Sequence, residues 1–352
     1  MEKKNKLKVA ILGATGMVGQ RFVQQLAHHP WFRISALASS ARSVGQPYRE
    51  ACTWILEGQI PSEVSDMVVQ NVQSDLEADI VFSALPASVA YEVEPQFAQA
   101  GYIVCSNASA FRYDDDIPVI IPEINHDHTA MIEKQKETRN WKGLIVTSPN
   151  CTTTGIAIPL KPLDDAFGVT KLFVVSMQAV SGAGYPGVSY LDIEDNVIPF
   201  IGGEEKKIES ETHLLLGKMN GVGRKPASFV VSAQANRVSV REGHTICLSI
   251  ALNKKSSTEE ITDALRSFKG INGLPPLPSA PEELIVVCDE NDRPQPRKDR
   301  NANAGMSVTV GRIRPCPILD TRMVSVSHNT LRGAASGSIL NAELLVAKGF
   351  FS

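Results

Sequence analysis

Short apolar runs separated by helical patterns constrain the fold of the first half of the chain more than any other feature. Five runs occur, at residues 8–12, 34–38, 80–83, 102–105 and 144–147. Between them, residues 18–28 and 89–98 place apolar side chains at helical spacing. Such runs, when helices alternate with them, are typical of parallel strands that are buried on both faces of a sheet. We therefore predict an α/β protein that opens with a doubly wound, Rossmann-type sheet.

The second half of the chain carries longer strands with few helices between them. Strands are expected at residues 171–179, 228–234, 238–240 and 245–252, and helices at 204–219, 257–268 and 331–347. The second of these helices opens with a capping signal, Ser257 followed by Glu260. This pattern predicts a second, α+β domain with a mixed or antiparallel sheet. The Pro-rich residues 274–281 and the charged residues 289–300 are expected to lie in a loop region at the surface.

Composition and charge exclude several classes of protein. The net charge of −3, without a long Lys/Arg run, gives no general attraction to nucleic acid or to an anionic membrane. The six cysteines form no CxxC pair and no metal-ligand spacing, so we expect neither a disulfide framework nor a metal site. Residues 1–6 lack the features of a signal peptide, and no apolar segment reaches about 18 residues. We expect a cytoplasmic protein.

A glycine-rich loop joins the first strand to the first helix. Gly13, Gly16 and Gly19 would permit a tight turn, close approach of a pyrophosphate and close packing of the helix. The amides and the dipole of the helix would then face the phosphates. The position of the loop, directly after an N-terminal strand, predicts a dinucleotide site.

The end of the second strand indicates which dinucleotide is bound. Residues 39–43 read Ser39-Ser40-Ala41-Arg42-Ser43 and contain no Asp or Glu to bind a ribose 2′-hydroxyl. Hydroxyls and a guanidinium suit a 2′-phosphate instead, so NADP is favoured over NAD. The alternative is that Arg42 is only a solvated loop residue.

Cys151 stands out among the cysteines because it lies between a predicted strand and the apolar helical residues 156–167. At a helix N-terminus, unpaired amides and the positive end of the dipole favour thiolate over thiol. The same amides, together with Asn150, could hold an oxyanion. The other five cysteines are interpreted as inert small side chains: Cys52, Cys105, Cys247, Cys288 and Cys316.

A nucleophilic thiol needs a proton acceptor, and histidine is the side chain best matched to neutral pH. His244 lies in a turn between two predicted strands, and the same turn presents Arg237. His328, which ends a strand, is the reserve candidate. The remaining histidines are expected at the surface: His28, His29, His126, His128 and His213.

These motifs together resemble the aspartate-β-semialdehyde dehydrogenases, specifically their archaeal and fungal-like branch. The resemblance covers nearly the whole chain. It rests on residues 13–19, 106–112, 148–153, 178–184, 202–207, 237–244 and 329–335. The most specific parts are the Ser-Pro-Asn-Cys-Thr-Thr sequence at 148–153 and the spacing of seven between Arg237 and His244.

The resemblance implies a role for each side chain of the reaction site. Cys151 would be the nucleophile, His244 the general acid/base and Gln178 an orienting residue. Arg237 would clamp the substrate carboxylate, a bidentate task suited to guanidinium. Arg112 and Lys207 would contact phosphate. Glu204 or Glu211 would contact the substrate ammonium, and Asn150 would also contact the substrate. The bacterial branch has a lysine where this chain has Leu214, and Lys207 is its substitute.

The resemblance also implies the cofactor contacts and the domain division. Residues 1–149, completed by the helix at 330–352, would bind NADP, and residues 150–329 would carry catalysis and dimerisation. The cofactor would contact Gly13, Thr15, Gly16, Met17, Val18, Ser39, Ser40, Arg42, Ser83, Ser181, Gly182, Gly184 and Asn329. A homodimer or homotetramer built through the second domain is implied.

The implied activity is the NADP-dependent conversion of aspartyl phosphate to aspartate semialdehyde and phosphate through a Cys151 thioester, in the biosynthesis of lysine, threonine and methionine. Two other acyl-thioester reductase activities are kept as alternatives, those of a malonyl-CoA reductase and an N-acetylglutamyl-phosphate reductase, because fold and motif do not fix the substrate. A protein of another class, a non-catalytic NADP-binding sensor, would need neither Cys151 nor His244.

Overall fold

The computed structural model describes residues 6–351, so the expectation drawn from residues 1–6 falls almost wholly outside it. The first half of the chain forms a five-stranded parallel sheet in the order β2-β1-β3-β4-β5. Its strands are β1 (Leu7–Leu12), β2 (Phe32–Ala38), β3 (Ile80–Ser83), β4 (Ile103–Ser106) and β5 (Leu144–Thr147). All five predicted strands are present, and the predicted doubly wound sheet is confirmed.

Helices cover both faces of this sheet. They are α1 (Met17–Leu26), α2 (Tyr48–Ala51), α3 (Ser62–Ser65), α4 (Ala87–Ala100), α5 (Pro122–Asn125) and α6 (Met131–Arg139). The chain steps from β1 outward to β2 and then returns to β3 on the other side of β1. The reversal opens a crevice at the carboxyl ends of β1 and β3, where ligands bind in sheets of this kind.

The second half of the chain forms a seven-stranded mixed sheet, with its strands in the order β12-β13-β14-β11-β6-β10-β7. Its strands are β6 (Val169–Ala179), β7 (Val197–Ile198), β10 (Val230–Val238), β11 (His244–Leu252), β12 (Ile285–Val287), β13 (Val308–Pro315) and β14 (Thr321–Ser327). The pairs β6/β10 and β12/β13 are parallel and the others are antiparallel. The predicted mixed sheet is therefore confirmed.

One face of the mixed sheet is covered by helices, and the other is open. The remaining elements are α7 (Cys151–Phe167), α8 (Tyr190–Ile193), the hairpin β8 (Lys218–Asn220) and β9 (Gly223–Lys225), α9 (Glu204–Leu215), α10 (Thr258–Ser267) and α11 (Pro296–Asp299). Apolar side chains of α7, α9 and α10 share one core with the sheet. On the opposite face Phe173 and Val230 are 44% and 63% exposed.

The closing helix α12 (Ala335–Ala347) returns to the first sheet. Ile339 and Leu344 belong to the same core as Phe22 and Phe82. None of the helices in residues 6–351 is long and apolar enough to cross a membrane.

Four residues that were assigned to the surface are buried. Leu277, in the Pro-rich segment, is buried and packs into the core that contains α12. His29 is buried as well, because its Nε2 atom lies 2.7 Å from Oε1 of Glu343 on α12. His126 and His128 are also buried, where their Nε2 atoms hydrogen-bond the carbonyl oxygens of Asn272 and Gly217. Of His28, His29, His126 and His128, only His28 is exposed.

Candidate active site

A cleft of about 610 Å³ lies between the two sheets and joins the crevice of the first sheet to the start of α7. Its lining contains twelve of the predicted site residues: Val18, Arg112, Asn150, Cys151, Gln178, Ser181, Gly182, Gly184, Glu204, Lys207, Arg237 and Asn329. The predicted nucleophile, the predicted anion-binding side chains and part of the predicted cofactor loop therefore share one space.

Cys151 is the first residue of α7, as the sequence pattern indicated. The side-chain oxygen of Asn150 caps the helix and accepts hydrogen bonds from the amides of Thr152 and Thr153 at 2.9 and 3.1 Å. The Thr154 amide donates to the Asn150 carbonyl. Among the described residues, the Cys151 amide alone in this first turn has no partner. It is thus the amide placed to stabilise an oxyanion on a carbonyl attacked by the sulfur.

The Cys151 sulfur, which is half-buried, and the buried His244 ring form a pair. Sγ lies 3.2 Å from Nε2. His244 begins β11, is fully buried, and accepts a hydrogen bond at Nδ1 from the backbone amide of Ala179 at 3.1 Å. These two contacts fix both the position and the orientation of the imidazole.

Burial favours the neutral form of both members of this pair. Burial, and then the Glu204 charge, raises the pKa of the Cys151 thiol to about 12, although Arg112 and the Thr152 amide act in the opposite direction. Burial, and then Arg237, lowers the pKa of His244 to about 3. The helix amide lowers the pKa of the thiol, in the direction expected for a helix N-terminus, and desolvation opposes it.

Glu204, at the start of α9, is the carboxylate that faces the cleft. Its Oε1 atom accepts from Asn150 Nδ2 at 2.8 Å and from Gln178 Nε2 at 3.1 Å. Its Oε2 atom lies 3.7 Å from Lys207 Nζ. These contacts hold a fixed negative charge beside Cys151.

Glu211, the other predicted ammonium ligand, has a different position. It is fully buried and does not line the cleft. Its two oxygens accept from Arg112 Nη1 at 2.8 Å and from the Asn150 amide at 2.6 Å. Glu211 therefore orients Arg112 and the start of α7, and Glu204 is left as the carboxylate that a substrate could reach.

Three cationic side chains line the cleft around Cys151. Arg112 and Lys207 come from the first and second halves of the chain, and Arg237 lies on β10. Arg237 donates to the Ala179 carbonyl at 2.7 Å but forms no ion pair with a carboxylate among residues 6–351. Its guanidinium is free to bind an anion.

The glycine loop fits a dinucleotide. Gly13 has φ +77°, and a β-carbon there would lie 2.8 Å from the Ala84 carbonyl oxygen. A β-carbon at Gly19 would lie 2.2 Å from the Gly13 carbonyl oxygen, so the loop packs tightly against α1. Gly16 is the N-cap of α1 and has no side chain to cap the helix, so the first-turn amides are left for a phosphate.

The adenosine end of the predicted site lies at the end of β2. The hydroxyls of Thr15 and Ser39 lie 2.7 Å apart, and Ser39 is buried. Ser40 and Arg42 are exposed, and no carboxylate occurs in residues 39–47. This surface suits a phosphate on the ribose better than a free 2′-hydroxyl.

The nicotinamide end lies where the two sheets meet. Asn329 donates from Nδ2 to Ser181 Oγ at 2.8 Å and accepts from the Gly243 amide at 2.9 Å. A second cavity of about 170 Å³, lined by Met17, Ser181 and Gly184, continues the cleft here. Asn329 thus links the predicted cofactor loop to the turn that carries His244.

Ser83 does not contact this space with its side chain. It is fully buried at the end of β3, and Ala84 and Leu85 line the cleft in its place. Asn107, which follows β4, was also missed as a lining residue. The carboxyl ends of parallel strands meet at one edge of a sheet, so the residues just after β3 and β4 carried the signal.

A network between the two sheets was not foreseen either. Arg21 on α1 donates from Nε to Thr330 Oγ1 at 3.1 Å and forms an ion pair with Glu242. Glu242 also lies 3.6 Å from His328 Nε2. His328, the reserve candidate, is buried in this network and does not line the cleft.

Comparisons with known proteins agree over nearly the whole chain. The family models for the NAD binding domain and the dimerisation domain of semialdehyde dehydrogenase match residues 8–132 and 160–332. The aspartate-semialdehyde dehydrogenase of Archaeoglobus fulgidus is 51% identical over 342 residues, 97% of this chain and 98% of that protein. A malonyl CoA reductase (NADP) of Metallosphaera sedula is 40% identical over 353 residues, 99% of each.

A solved structure is similar at the level of the whole fold. The crystal structure of aspartate semialdehyde dehydrogenase with NADP from Candida albicans superposes with a TM-score of 0.90 at 40% identity. The match covers 99% of this chain and 100% of that one. Archaeal and fungal proteins thus both resemble this chain, as its motifs predicted.

Proposed function

The chain belongs to the aspartate-semialdehyde dehydrogenase family, and from this we propose that it converts aspartyl phosphate to aspartate semialdehyde and phosphate, with NADPH as reductant, through a thioester on Cys151. The observation that carries the proposal is the pair formed by Cys151 and His244, 3.2 Å apart, in a cleft that continues into the dinucleotide crevice. A half-buried thiol at a helix start, beside an imidazole and an unpaired amide, is suited to acyl transfer.

The charges of the cleft match those of an aspartyl phosphate. Arg237 would bind the α-carboxylate, and Glu204 would bind the ammonium. Arg112, held by Glu211, and Lys207 would bind the phosphoryl group. These side chains line one cleft with Cys151, so a substrate held by its charged ends would present its carbonyl carbon to the sulfur.

In the first step the Cys151 sulfur would attack that carbonyl carbon. The Cys151 amide would stabilise the oxyanion, and phosphate would depart toward Arg112 and Lys207, leaving a thioester. NADPH, when bound along the glycine loop, supplies the hydride that reduces the thioester carbonyl. His244, 3.2 Å from the sulfur, would take the thiol proton as the thioester forms and deliver a proton to the sulfur as the aldehyde departs.

The buried Glu204 carboxylate favours an amino acid derivative over a malonyl thioester. A malonyl group carries a carboxylate but no ammonium, so it would meet repulsion from Glu204 without compensation. Reduction of malonyl-CoA is the second candidate function, because one relative is named malonyl CoA reductase (NADP). An N-acetylglutamyl phosphate is longer and likewise lacks the ammonium.

We infer a homodimer formed through the open face of the mixed sheet, on which Phe173 and Val230 lie exposed. A second copy is the occupant favoured, because the family region that matches residues 160–332 is a dimerisation domain. A tetramer would need a second interface. We also propose that residues 1–149 with 330–352, and residues 150–329, are the two domains, since α12 packs into the core of the first sheet.

The site would work in a reducing compartment such as the cytoplasm, because Cys151 must stay a free thiol to react. The product would enter amino-acid biosynthesis, as the family name implies.

A substrate panel tests the proposal. NADPH formation would be followed with aspartate semialdehyde and NADP, with and without phosphate, and NADPH consumption with malonyl-CoA. We expect phosphate-dependent turnover of aspartate semialdehyde and little turnover of malonyl-CoA. Faster turnover of malonyl-CoA would assign the chain to the second candidate, and no turnover of either substrate would contradict both.

A further inference from the structure

A cluster of three polar side chains joins the two sheets beside the nicotinamide end of the cleft. Arg21 lies on α1, Glu242 lies in the turn between β10 and β11, and Thr330 precedes α12. Arg21 forms an ion pair with Glu242 and donates from Nε to Thr330 Oγ1 at 3.1 Å. This hydroxyl in turn donates to Glu242 Oε1 at 3.1 Å. The three contacts form a closed ring, so none of these side chains can leave the Arg21 cluster without breaking two contacts.

Solvent hardly reaches the Arg21 cluster. The side chains of Arg21 and Glu242 are each 11% exposed, and Thr330 is buried. Burial alone would raise the pKa of Glu242, but the hydrogen bond and the charge of Arg21 hold that pKa below its usual range. Glu242 is therefore ionised near neutral pH, and its ion pair with Arg21 is screened less than a pair at the surface.

On one side the Arg21 cluster fixes the helix that would bind the dinucleotide. Met17 begins α1 four residues before Arg21, so both side chains lie on the same face of the helix. Met17 lines the cavity of about 170 Å³ that continues the cleft. The amides of the first turn, which Gly16 leaves uncapped, are those that would bind a phosphate. Because a short helix moves as one body, the position of Arg21 determines where these amides lie.

On the other side the Arg21 cluster fixes the turn that leads to His244. Glu242 lines the same small cavity and is separated from His244 by Gly243 alone. The Gly243 amide donates to Asn329 Oδ1 at 2.9 Å, and Asn329 directly precedes Thr330. The cluster therefore holds α1 against both segments that border the nicotinamide end of the cleft.

We propose that Arg21 and Glu242 are positioning residues for hydride transfer: their ion pair holds α1, and with it the dinucleotide, at a fixed distance from the carbon bound to the Cys151 sulfur. This role rests on the function proposed above. The dinucleotide would lie on the first sheet and the acyl group on Cys151 at the start of α7, so their alignment depends on how the two sheets are joined. A displacement of about 1 Å in a reacting group lowers a rate by about 10²-fold.

The oxidative direction divides the reaction into two steps, and the Arg21 cluster should serve only the first. The Cys151 sulfur adds to the aldehyde carbon, and the thiol proton passes to His244. The C–H bond of the adduct then breaks, the hydride passes to NADP, and the oxyanion becomes the carbonyl of a thioester. In the second step a phosphate oxygen attacks this carbonyl, the C–S bond breaks, and the sulfur recovers the proton from His244. The second step needs no alignment of the nicotinamide.

Rapid-mixing kinetics of the full-length enzyme measure the two steps separately. Glu242→Gln keeps the shape of the side chain but removes the ion pair. With NADP and aspartate semialdehyde but no phosphate, it should form one NADPH per Cys151, at a rate about 10²-fold below that of the wild type. The burst amplitude counts the folded, reactive sites, so partial unfolding is not mistaken for a slow step.

The second step is measured on the thioester after nucleotide has been removed by rapid gel filtration. Phosphate added to this acyl-enzyme should release aspartyl phosphate from Glu242→Gln at the wild-type rate. Equal slowing of both steps, slowing of the second step alone, or no slowing of either step would overturn the proposal.

Asp116→Asn is the matched control. Asp116 is buried and accepts from Arg139 Nε at 2.6 Å and from Arg139 Nη2 at 2.7 Å, and both residues belong to the first half of the chain. This variant loses a comparable ion pair that does not join the sheets, so both steps should keep their wild-type rates. A loss in the first step as large as that of Glu242→Gln would overturn the proposal, because the loss of any such pair would then suffice.

A double variant tests whether Arg21 and Glu242 act together. If they act as a pair, Arg21→Met combined with Glu242→Gln should form NADPH no more slowly than the slower single variant, because the second change removes nothing further. Losses that multiply in the double variant would overturn the role of the pair.

Hydrogen exchange of the enzyme without cofactor gives a readout that does not depend on turnover. We expect the amides of α1 and of residues 239–243 to exchange faster in Glu242→Gln than in the wild type, because the Arg21 cluster no longer opposes local opening. Asp116→Asn should leave both segments unchanged. Wild-type exchange in either segment of Glu242→Gln would overturn the proposal.

The two proposals fail separately. If the wild-type enzyme forms no NADPH from aspartate semialdehyde, with or without phosphate, the proposed function fails. If the wild type turns over and Glu242→Gln forms NADPH at the wild-type rate, only the positioning role fails.

Discussion

Gly333 lies directly behind Cys151, so closely that no side chain fits between them. A β-carbon at Gly333 would lie 2.7 Å from Cys151 Cβ and 2.9 Å from Cys151 Cα. Carbon atoms that are not bonded to each other do not approach so closely. The nucleophile and the segment before α12 therefore require a glycine at this position.

Gly333→Ala should displace Cys151 from His244 and from its own oxyanion amide. We expect kcat to fall by about 10²-fold, since a displacement of about 1 Å in a reacting group has this effect. Steady-state kinetics measure it, with circular dichroism to verify folding. Gly223→Ala is the control, because its β-carbon would meet only the Asn220 carbonyl at 3.6 Å. Undiminished turnover in Gly333→Ala would show that the close contact does not position the sulfur.

Arg237→Lys should weaken binding of aspartate semialdehyde, because an ammonium cannot hold a carboxylate with two parallel hydrogen bonds. We expect kcat/KM to fall by about 10²-fold, within the 2–5 kcal/mol typical of a disrupted buried charge pair. The loss should be small for an aldehyde that lacks the carboxylate. Arg266→Lys, whose side chain is 45% exposed on α10, is the control. Equal losses for both aldehydes would show that Arg237 does not bind the carboxylate.

Arg42→Glu should change the cofactor preference. A carboxylate at the end of β2 would repel a 2′-phosphate but could bind a free 2′-hydroxyl. We expect KM for NADPH to rise by about tenfold, a modest change because the site is exposed and screened, while KM for NADH falls or stays constant. Parallel titrations measure both constants, with the exposed Arg33→Glu as control. A KM for NADPH that did not change would mean that Arg42 is only a solvated loop residue.

Local patterns predicted much of this molecule. The five apolar runs predicted the parallel sheet, and the strand-then-helix setting of Cys151 predicted its place at the start of α7. Contacts between distant segments could not be predicted in this way. His29 was assigned to the surface because its partner Glu343 lies 314 residues away in the sequence.

The cleft shows the same limit. Glu204 and Glu211 occupy the same helix and have the same chemistry, and sequence spacing did not separate them. Only the fold, which brings Arg112 to Glu211 across 99 residues, shows which carboxylate is already engaged. Desolvation of Cys151 could not be predicted for a related reason, since it depends on what packs around the sulfur and not on the helix that begins with it.

Phe173→Glu should prevent association through the open face of the mixed sheet. A charge buried at an interface without a partner opposes association strongly. We expect analytical ultracentrifugation to show a smaller species than the wild type, a monomer if the wild type is a dimer and a dimer if it is a tetramer. Val68→Glu, on the first half of the chain, should leave the mass unchanged. A Phe173→Glu variant with the wild-type mass would place the interface elsewhere.

The thioester on Cys151 is tested most directly by a burst experiment without phosphate. Wild-type enzyme mixed rapidly with NADP and aspartate semialdehyde should form one NADPH per Cys151 and then stop, because no phosphate is present to release the acyl group. Adding phosphate should restart turnover, and Cys151→Ala should show neither phase. Steady NADPH formation without phosphate, or a burst in Cys151→Ala, would contradict the thioester mechanism.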